Sequence, residues 1–307
     1  MKIIELEAAG VRALRDGTWS LEPARGNLTV VTGPPSVGVT SFLDAIAFTA
    51  SLLSVGGAVP SADDALRAGE STARIRSVWE LDEAEREFGG TLEETSEAVV
   101  SFRRGALGRA DADPALLGLM SRYDHRPELS KVVNIPERRL VDGGLPAFSD
   151  FEVDQRYKHL SPAADKFSGV PYALVRHWSG FGEKARFDDV KRLFSELCDT
   201  VSLAGVGSVG DLLFSLPSGP QIPLHRLGFV ERNAFILAAV PVLLGLERSV
   251  ILLDTPEMGL GPGIAGRWLS ALRGYAPAAQ WIVGSRDPSV LESAPPACRI
   301  ELARMGS

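Results

Sequence analysis

The chain has 307 residues, 45% of them apolar and 23% charged, which is ordinary for a soluble globular fold and enough to bury a sizeable core. No stretch approaches the roughly 18 uninterrupted apolar residues of a membrane span, and the opening MKIIELEAAGV alternates like a strand instead of following the plan of a secretory signal. Formal charge is −7, and residues 61–100 alone carry eleven acidic and four basic groups, so the rest is near neutral and lacks the positive excess of a protein built mainly to grip nucleic acid.

Residues 2–8 and 18–23 read as two edge strands joined by a turn at Asp16-Gly17, followed by a buried strand at Leu28–Thr32. A helix is expected from about Ser41 to Leu53, where Phe42, Leu43, Ile46, Ala47 and Ala50 recur at helical spacing, and Gly56-Gly57 should end it. From 58 to 130 the pattern weakens to two strand candidates, Ile75–Leu81 and Ala98–Phe102, and the acidic block around them reads as a solvated surface insertion. Val132–Pro136 is a short apolar strand, and the charged turn after it, Glu137-Arg138-Arg139, is expected to be solvated unless it meets phosphate or a partner. Loops and short helices are expected over 142–185, then an amphipathic helix at Asp188–Cys198 and a hairpin of Asp211–Leu216 with Gln221–Leu224. A long apolar helix (Val230–Leu246), a buried strand (Ser249–Leu253), a helix (Pro262–Gly274), a strand (Gln280–Gly284) and a last strand near Arg299–Leu302 complete the chain. This alternation predicts a parallel α/β core preceded by a more antiparallel portion.

Between the strand at 28–32 and its helix lies Gly33-Pro34-Pro35-Ser36-Val37-Gly38-Val39-Thr40-Ser41. The spacing is that of the phosphate-binding loop G-x-x-x-x-G-K-[ST], in which amides cradle phosphates, a lysine reaches them and the hydroxyl meets Mg²⁺. Val39 stands where the lysine belongs, and no lysine occurs between Lys2 and Lys131, so Arg25 and Arg286 are the candidate substitutes. Further on, SVILLDTPEMGLGP (249–262) is an apolar run that delivers Asp254 to the end of a strand, where a carboxylate can hold the water shell of Mg²⁺. His125, His159, His177 and His225 are scattered without metal-ligand spacing, and Cys198 and Cys298 form no metal or redox motif, so a reducing cytoplasm is the expected setting. Tyr157-Lys158-His159 and Arg176-His177-Trp178 mix base and aromatic as a single-strand grip would, although ordinary packing is the simpler reading.

These motifs together resemble the ATP-binding-cassette (ABC) heads of the SMC/RecF/OLD-like group. The resemblance rests on the lead-in strands, the loop with its FLDAIAF helix and the D-x-P-E-x-G-L-x-P run, and covers about residues 1–53 and 208–290, with NIPERR (134–139) as the best echo between them. WIVGSRDP (281–288) stands where that group has a Thr-His-Ser-Pro switch, and Leu227-Gly228-Phe229-Val230-Glu231 where it has its signature, L-S-x-G-E or L-S-x-G-Q. The resemblance implies an α/β, P-loop NTPase-like ABC head, with an antiparallel N-terminal lobe, a parallel core sheet flanked by helices and a helical, loop-rich insertion. Residues 1–57 and 208–307 would form the head and 58–207 the inserted lobe.

Each motif departs at its reactive residue. The lysine is Val39, the glutamate that would polarise the attacking water is Thr255, the switch histidine is Arg286, and the signature serine and glycine are Gly228 and Val230. A lost charged hydrogen bond to phosphate costs about 1.5–3 kcal/mol, and a lost general base about 10²–10⁴ in rate. The resemblance thus implies a pseudo-ATPase acting as a binding, regulatory or scaffold subunit, in DNA maintenance or anti-phage defence, with Gly33, Pro34, Ser36, Gly38, Val39, Thr40 and Ser41 as the nucleotide contacts. Thr40 and Asp254 would hold Mg²⁺ beside ATP, and Asp254, Glu257 and Arg286 would be the groups available for any chemistry. Expected partners are a second copy or another head across the ABC-type face, an effector protein or an active ATPase. Two alternatives stay open: a slow ATPase with an arginine replacing the lysine, and a structural protein that binds no nucleotide.

Overall fold

Alternation of buried with half-buried or exposed residues shapes the antiparallel strands in the first third of the chain. In the computed structural model, which describes residues 1–21, 27–54, 60–121, 131–139, 141 and 151–304 (side chains of 152–154 and 156 excepted), β1 (Lys2–Ala9) buries Ile3, Leu6 and Ala8. The chain then turns into β2 (Gly17–Ser20) at Asp16, whose carboxylate accepts the Gly10 amide at 2.9 Å and pairs with Arg67, contacts that hold its pKa below the usual carboxylate range. β3 (Leu28–Thr32) leads through the glycine-rich loop into α1 (Val39–Leu53), which starts two residues before the expected Ser41 because Gly38 serves as its N-cap. Gly56-Gly57, Arg25 and His125 lie outside the described residues.

After the single turn α2 (Ala62–Ala65) come β4 (Thr72–Glu80), α3 (Glu83–Gly89), β5 (Thr95–Arg103) and β6 (Arg109–Ala112). With β1 and β2 these strands make an antiparallel sheet in the order β2-β1-β4-β5-β6. β1 is therefore not an edge strand, contrary to the sequence expectation, because alternation reports one buried face and is silent on how many neighbours a strand has. Nor is the acidic block a surface insertion. It carries β4, α3 and β5, whose Ile75, Trp79, Ala98 and Val100 are fully or almost fully buried. Sheet pairing thus crosses the expected division at 57/58.

α4 (Pro114–Met120), β7 (Val132–Ile135) and three helices, α5 (Phe151–Lys158), α6 (Val170–Trp178) and α7 (Lys184–Leu197), follow. A small antiparallel sheet of β8 (Ser202–Val206), β9 (Leu212–Ser215) and β10 (Gln221–Pro223) precedes α8 (Phe229–Leu244), β11 (Val250–Asp254), α9 (Ile264–Tyr275), β12 (Gln280–Gly284), α10 (Pro288–Glu292) and β13 (Arg299–Glu301). The central sheet is parallel throughout, in the order β13-β3-β12-β11-β7.

The central strands are apolar at successive positions because both faces are covered. Val31, Val250, Leu252 and Ile282 pack with α1 and the antiparallel lobe, while Val30, Ile251, Leu253, Trp281 and Val283 pack with α7, α8 and α9. Gln280, 1% exposed, joins the two large sheets: its side-chain oxygen accepts the Ile3 amide and its nitrogen donates to the Ile3 carbonyl, each at 2.8 Å. A second buried tie is Lys166, in a single 3-10 turn, whose Nζ donates to the carbonyls of Asn134 (2.5 Å), His159 (2.9 Å) and Ser161 (3.2 Å) and so anchors the segment after α5 onto β7. Burial holds its pKa well below that of a free lysine.

Candidate functional site

The glycine-rich loop wraps the start of α1 with three left-handed residues, Gly33 (φ 156°), Ser36 (φ 66°) and Gly38 (φ 99°). A Cβ on Gly38 would lie 2.8 Å from the Leu14 amide nitrogen, and one on Gly33 would lie 2.6 Å from the Leu302 carbonyl oxygen. Close packing alone therefore requires both glycines. Pro34, Pro35, Ser36 and Thr40 are exposed at the loop's mouth, and Ser41 is buried behind them. Among the described residues, the amides of Gly38, Val39, Thr40 and Ser41 donate to no backbone acceptor, as expected at a helix start.

Val39, 8% exposed, belongs to the core on the α1 side of the sheet. A Cβ built on Gly284, at the end of β12, would lie 2.9 Å from Val39 Cγ1, 3.0 Å from Asp254 Oδ1 and 3.2 Å from Leu43 Cδ1. This contact exists because β12 lies between β3 and β11 and ends beside the loop. The position of the expected lysine is thus a packed apolar floor.

Beside that floor the expected metal pair is assembled. Thr40 Oγ1 donates to Asp254 Oδ2 at 2.9 Å, and Thr255 Oγ1 donates to Oδ1 at 3.1 Å. Burial raises the pKa of Asp254 despite both hydroxyls. A buried carboxylate so disposed gains from a cation, and one carboxylate with one hydroxyl is a hard-oxygen pair suited to Mg²⁺ that keeps most of its waters. Among the described residues, no three His, Cys, Asp or Glu converge as an all-protein metal site would require.

Glu257 and Arg286 meet, but not as an acid–base pair. The Glu257 carboxylate accepts Ser285 Oγ (2.9 Å) and the Arg286 amide (3.1 Å), tying the turn after β11 to the one after β12. The Arg286 guanidinium instead reaches the loop, where Nε donates to the Gly33 carbonyl at 2.9 Å and Nη2 to that of Pro34 at 3.5 Å. A cation therefore stands at the rim of the loop although its floor has none.

Sequence reasoning missed three residues around this cluster. Arg139, expected in a solvated turn, is 3% exposed, while Arg138 is exposed as expected. Arg139 bonds to Asn233 Oδ1 and to the carbonyls of Pro136, Asp254 and Thr255, and burial lowers its pKa to about 10. No local pattern marks such an arginine, since three of its acceptors lie 94 to 116 residues away. Asp44, one turn beyond Thr40 on α1, forms an ion pair with Arg12, and its pKa is raised to about 6 because burial outweighs that pair. Burial wins here because the Arg12 side chain is 40% exposed and its charge is screened by solvent.

A pH dependence follows from Asp44. Its carboxyl binds a proton more tightly folded than unfolded, so its stabilising contribution is complete below about pH 4 and lost as pH rises through about 6. The full loss is about 3 kcal/mol, and Asp44→Asn is expected to flatten the fall in urea-unfolding stability between pH 4.5 and 7. Equal pH profiles for the two chains would contradict this.

Other expected contacts are partly placed. Gly228 caps α8, and Phe229 stands over the Gly259 turn, with ring carbons 2.8 Å from where a Gly259 Cβ would be, so the signature-like segment meets the turn after β11. His159 and His177 are buried, which removes them from the suggested nucleic-acid grip, while Tyr157 and Trp178 remain exposed. No helix among the described residues is long and apolar enough to cross a membrane.

No protein-family model matches the sequence, and no curated protein matches it significantly. Solved structures do. An SMC head domain from Thermotoga maritima aligns over 96% of this chain and 92% of its own, at 14% identity and TM-score 0.54. An SMC head bound to the C-winged helix domain of ScpA aligns over 96% and 93%, at 14% identity and TM-score 0.62. The Pyrococcus furiosus SMC head with an extended coiled coil, bound to the C-terminal domain of ScpA, aligns over 95% and 92%, at 13% identity and TM-score 0.59. At such low identity these likenesses establish the fold alone: the chain is folded like an SMC head domain.

Proposed function

We propose that this chain is a degenerate ABC/SMC-type head that serves as a binding, regulatory or scaffold subunit and hydrolyses ATP weakly or not at all. The observation that supports the reading is that Thr40 bonds to Asp254, as a magnesium corner would need, while Val39 packs against Gly284 where a phosphate-binding cation would stand. The loop amides and the dipole of α1 still favour an anion. The loop from Gly33 to Ser41 would cradle the phosphates, and Thr40 and Asp254 would hold Mg²⁺, which when bound supplies charge neutralisation. Thr255 has no basic group with which to activate water, so the chemical step lacks a driver. Two of the similar heads are bound to ScpA domains, which supports a protein partner here. A second copy or another head across the ABC-type face fits that role, as does an effector protein, in DNA maintenance or anti-phage defence.

Arg286 on the loop carbonyls favours one rival, a slow ATPase with the cation moved to the switch. That packing alone requires Gly33 and Gly38 favours the other, a structural protein without nucleotide. Titration with Mg-ATP, followed by thermal shift and phosphate release, separates the three. Weak saturable binding without turnover is expected. Steady phosphate release would establish the slow ATPase, and no shift at millimolar ATP the structural protein.

A further inference from the structure

We infer that Arg139 is the positioning residue of this site, holding position 255 in a left-handed backbone conformation and thereby aiming the Asp254 carboxylate at Thr40. The consequence for magnesium rests on the phosphate-cradle reading above, whereas the geometric claim does not. Thr255 has φ +46°, a conformation that β-branched residues avoid and that persists only where the surroundings enforce it.

The surroundings here are specific. Arg139 Nη2 donates to the Thr255 carbonyl at 3.0 Å and Nη1 to the Asp254 carbonyl at 2.8 Å, while the Thr255 amide donates to the Gly284 carbonyl at 2.8 Å. The guanidinium is itself aimed by Nε on Asn233 Oδ1 (2.7 Å) and Nη1 on the Pro136 carbonyl (3.0 Å). With the backbone held in this way, Thr255 Oγ1 reaches Asp254 Oδ1 and leaves Oδ2 to Thr40. Both carboxylate oxygens are thus set by one buried arginine that touches neither. Asn233 lies in the second turn of α8, whose first residue, Phe229, is 41% exposed over the Gly259 turn, so the same guanidinium links the exposed start of α8 to the backbone at Asp254. Lysine cannot replace this fork, because a single ammonium does not span the four acceptors.

A mutant cycle tests the inference. In the parent chain, Thr255→Gly relieves the left-handed strain but frees the unfolded chain and removes a hydroxyl, so the unfolding midpoint should move by less than about 2 °C. In an Arg139→Lys background the backbone has already relaxed and there is no strain to relieve, so the same substitution should lower the midpoint by about 4 °C. Equal shifts in both backgrounds would overturn the inference. The second readout is the magnesium-dependent part of the ATP-induced thermal shift. Arg139→Lys should weaken magnesium at least about tenfold and leave the shift from magnesium-free pyrophosphate unchanged, whereas loss of both together would mark a merely structural residue. If the parent shows no ATP-induced shift, the proposed function fails and the cycle still judges the geometry. If Arg139→Lys does not fold, Asn233→Ala removes one of the four bonds and should give the same signs at smaller amplitude; no difference from the parent would again overturn the inference.

Discussion

Val39→Lys combined with Thr255→Glu is expected to raise steady-state ATP turnover by about 10²–10⁴ over the parent chain, with Val39→Lys alone staying near the parent rate once Mg-ATP saturates. The two losses act on different steps. A cation at position 39 adds about 1.5–3 kcal/mol of phosphate binding, while a carboxylate at 255 supplies the base for water. Geometry permits the first change because β12 ends in Gly284, which leaves space beside residue 39 where any other side chain would crowd it. A lysine stem can fill the volume of the Val39 methyl groups and still carry its ammonium to the exposed mouth beside Thr40. Phosphate release at saturating Mg-ATP measures the outcome. Tight Mg-ATP binding without faster release in the double variant would show that the site lacks more than these two groups.

Lys166→Met is expected to cost about 3 kcal/mol of stability, read as a drop of roughly 6–12 °C in the unfolding midpoint. Two effects oppose each other. Removing a buried amine lifts its desolvation cost, which is why buried ion pairs can often be replaced by apolar residues without loss. The acceptors here, however, are the backbone carbonyls of Asn134, His159 and Ser161, which no substitution removes. The His159 carbonyl keeps the Asn134 amide as a donor at 2.9 Å, but the loss of three bonds from one amine should still outweigh the relief. A loss below about 1 kcal/mol would mean that water enters and replaces the amine.

Much of the fold was legible because its signals are local. The buried strands at Leu28–Thr32 and Val250–Asp254, the amphipathic α7 and the glycines of the loop each declare themselves within a few residues. Strand neighbours did not, since β4 reaches β1 from more than sixty residues away and alternation is the same at an edge as in the middle. The site divided in the same way. Thr40 and Asp254 were predicted as a pair and lie 2.9 Å apart, and Arg286 was one of two arginines expected to reach the loop and does. Glu257 was expected among the reactive groups and instead ties two turns together. Arg139 was placed in solvent because Glu137-Arg138-Arg139 looks like any charged turn, while its acceptors come from β11 and α8.

The sequence by itself determined which chemical groups the head has and lacks: no lysine at 39, no glutamate at 255, no histidine at 286, and an aspartate at the end of an apolar strand. Composition and spacing suffice for that, because a missing functional group is missing in every conformation. Only the tertiary structure decided where the remaining charges act. Asp44 pairs with Arg12, Arg286 caps the loop carbonyls, and Arg139 is enclosed beneath Thr255. The reason is physical: the burial and the partners that set a charge's role are supplied by segments distant in the chain, and they meet only when the parallel sheet brings its strand ends together.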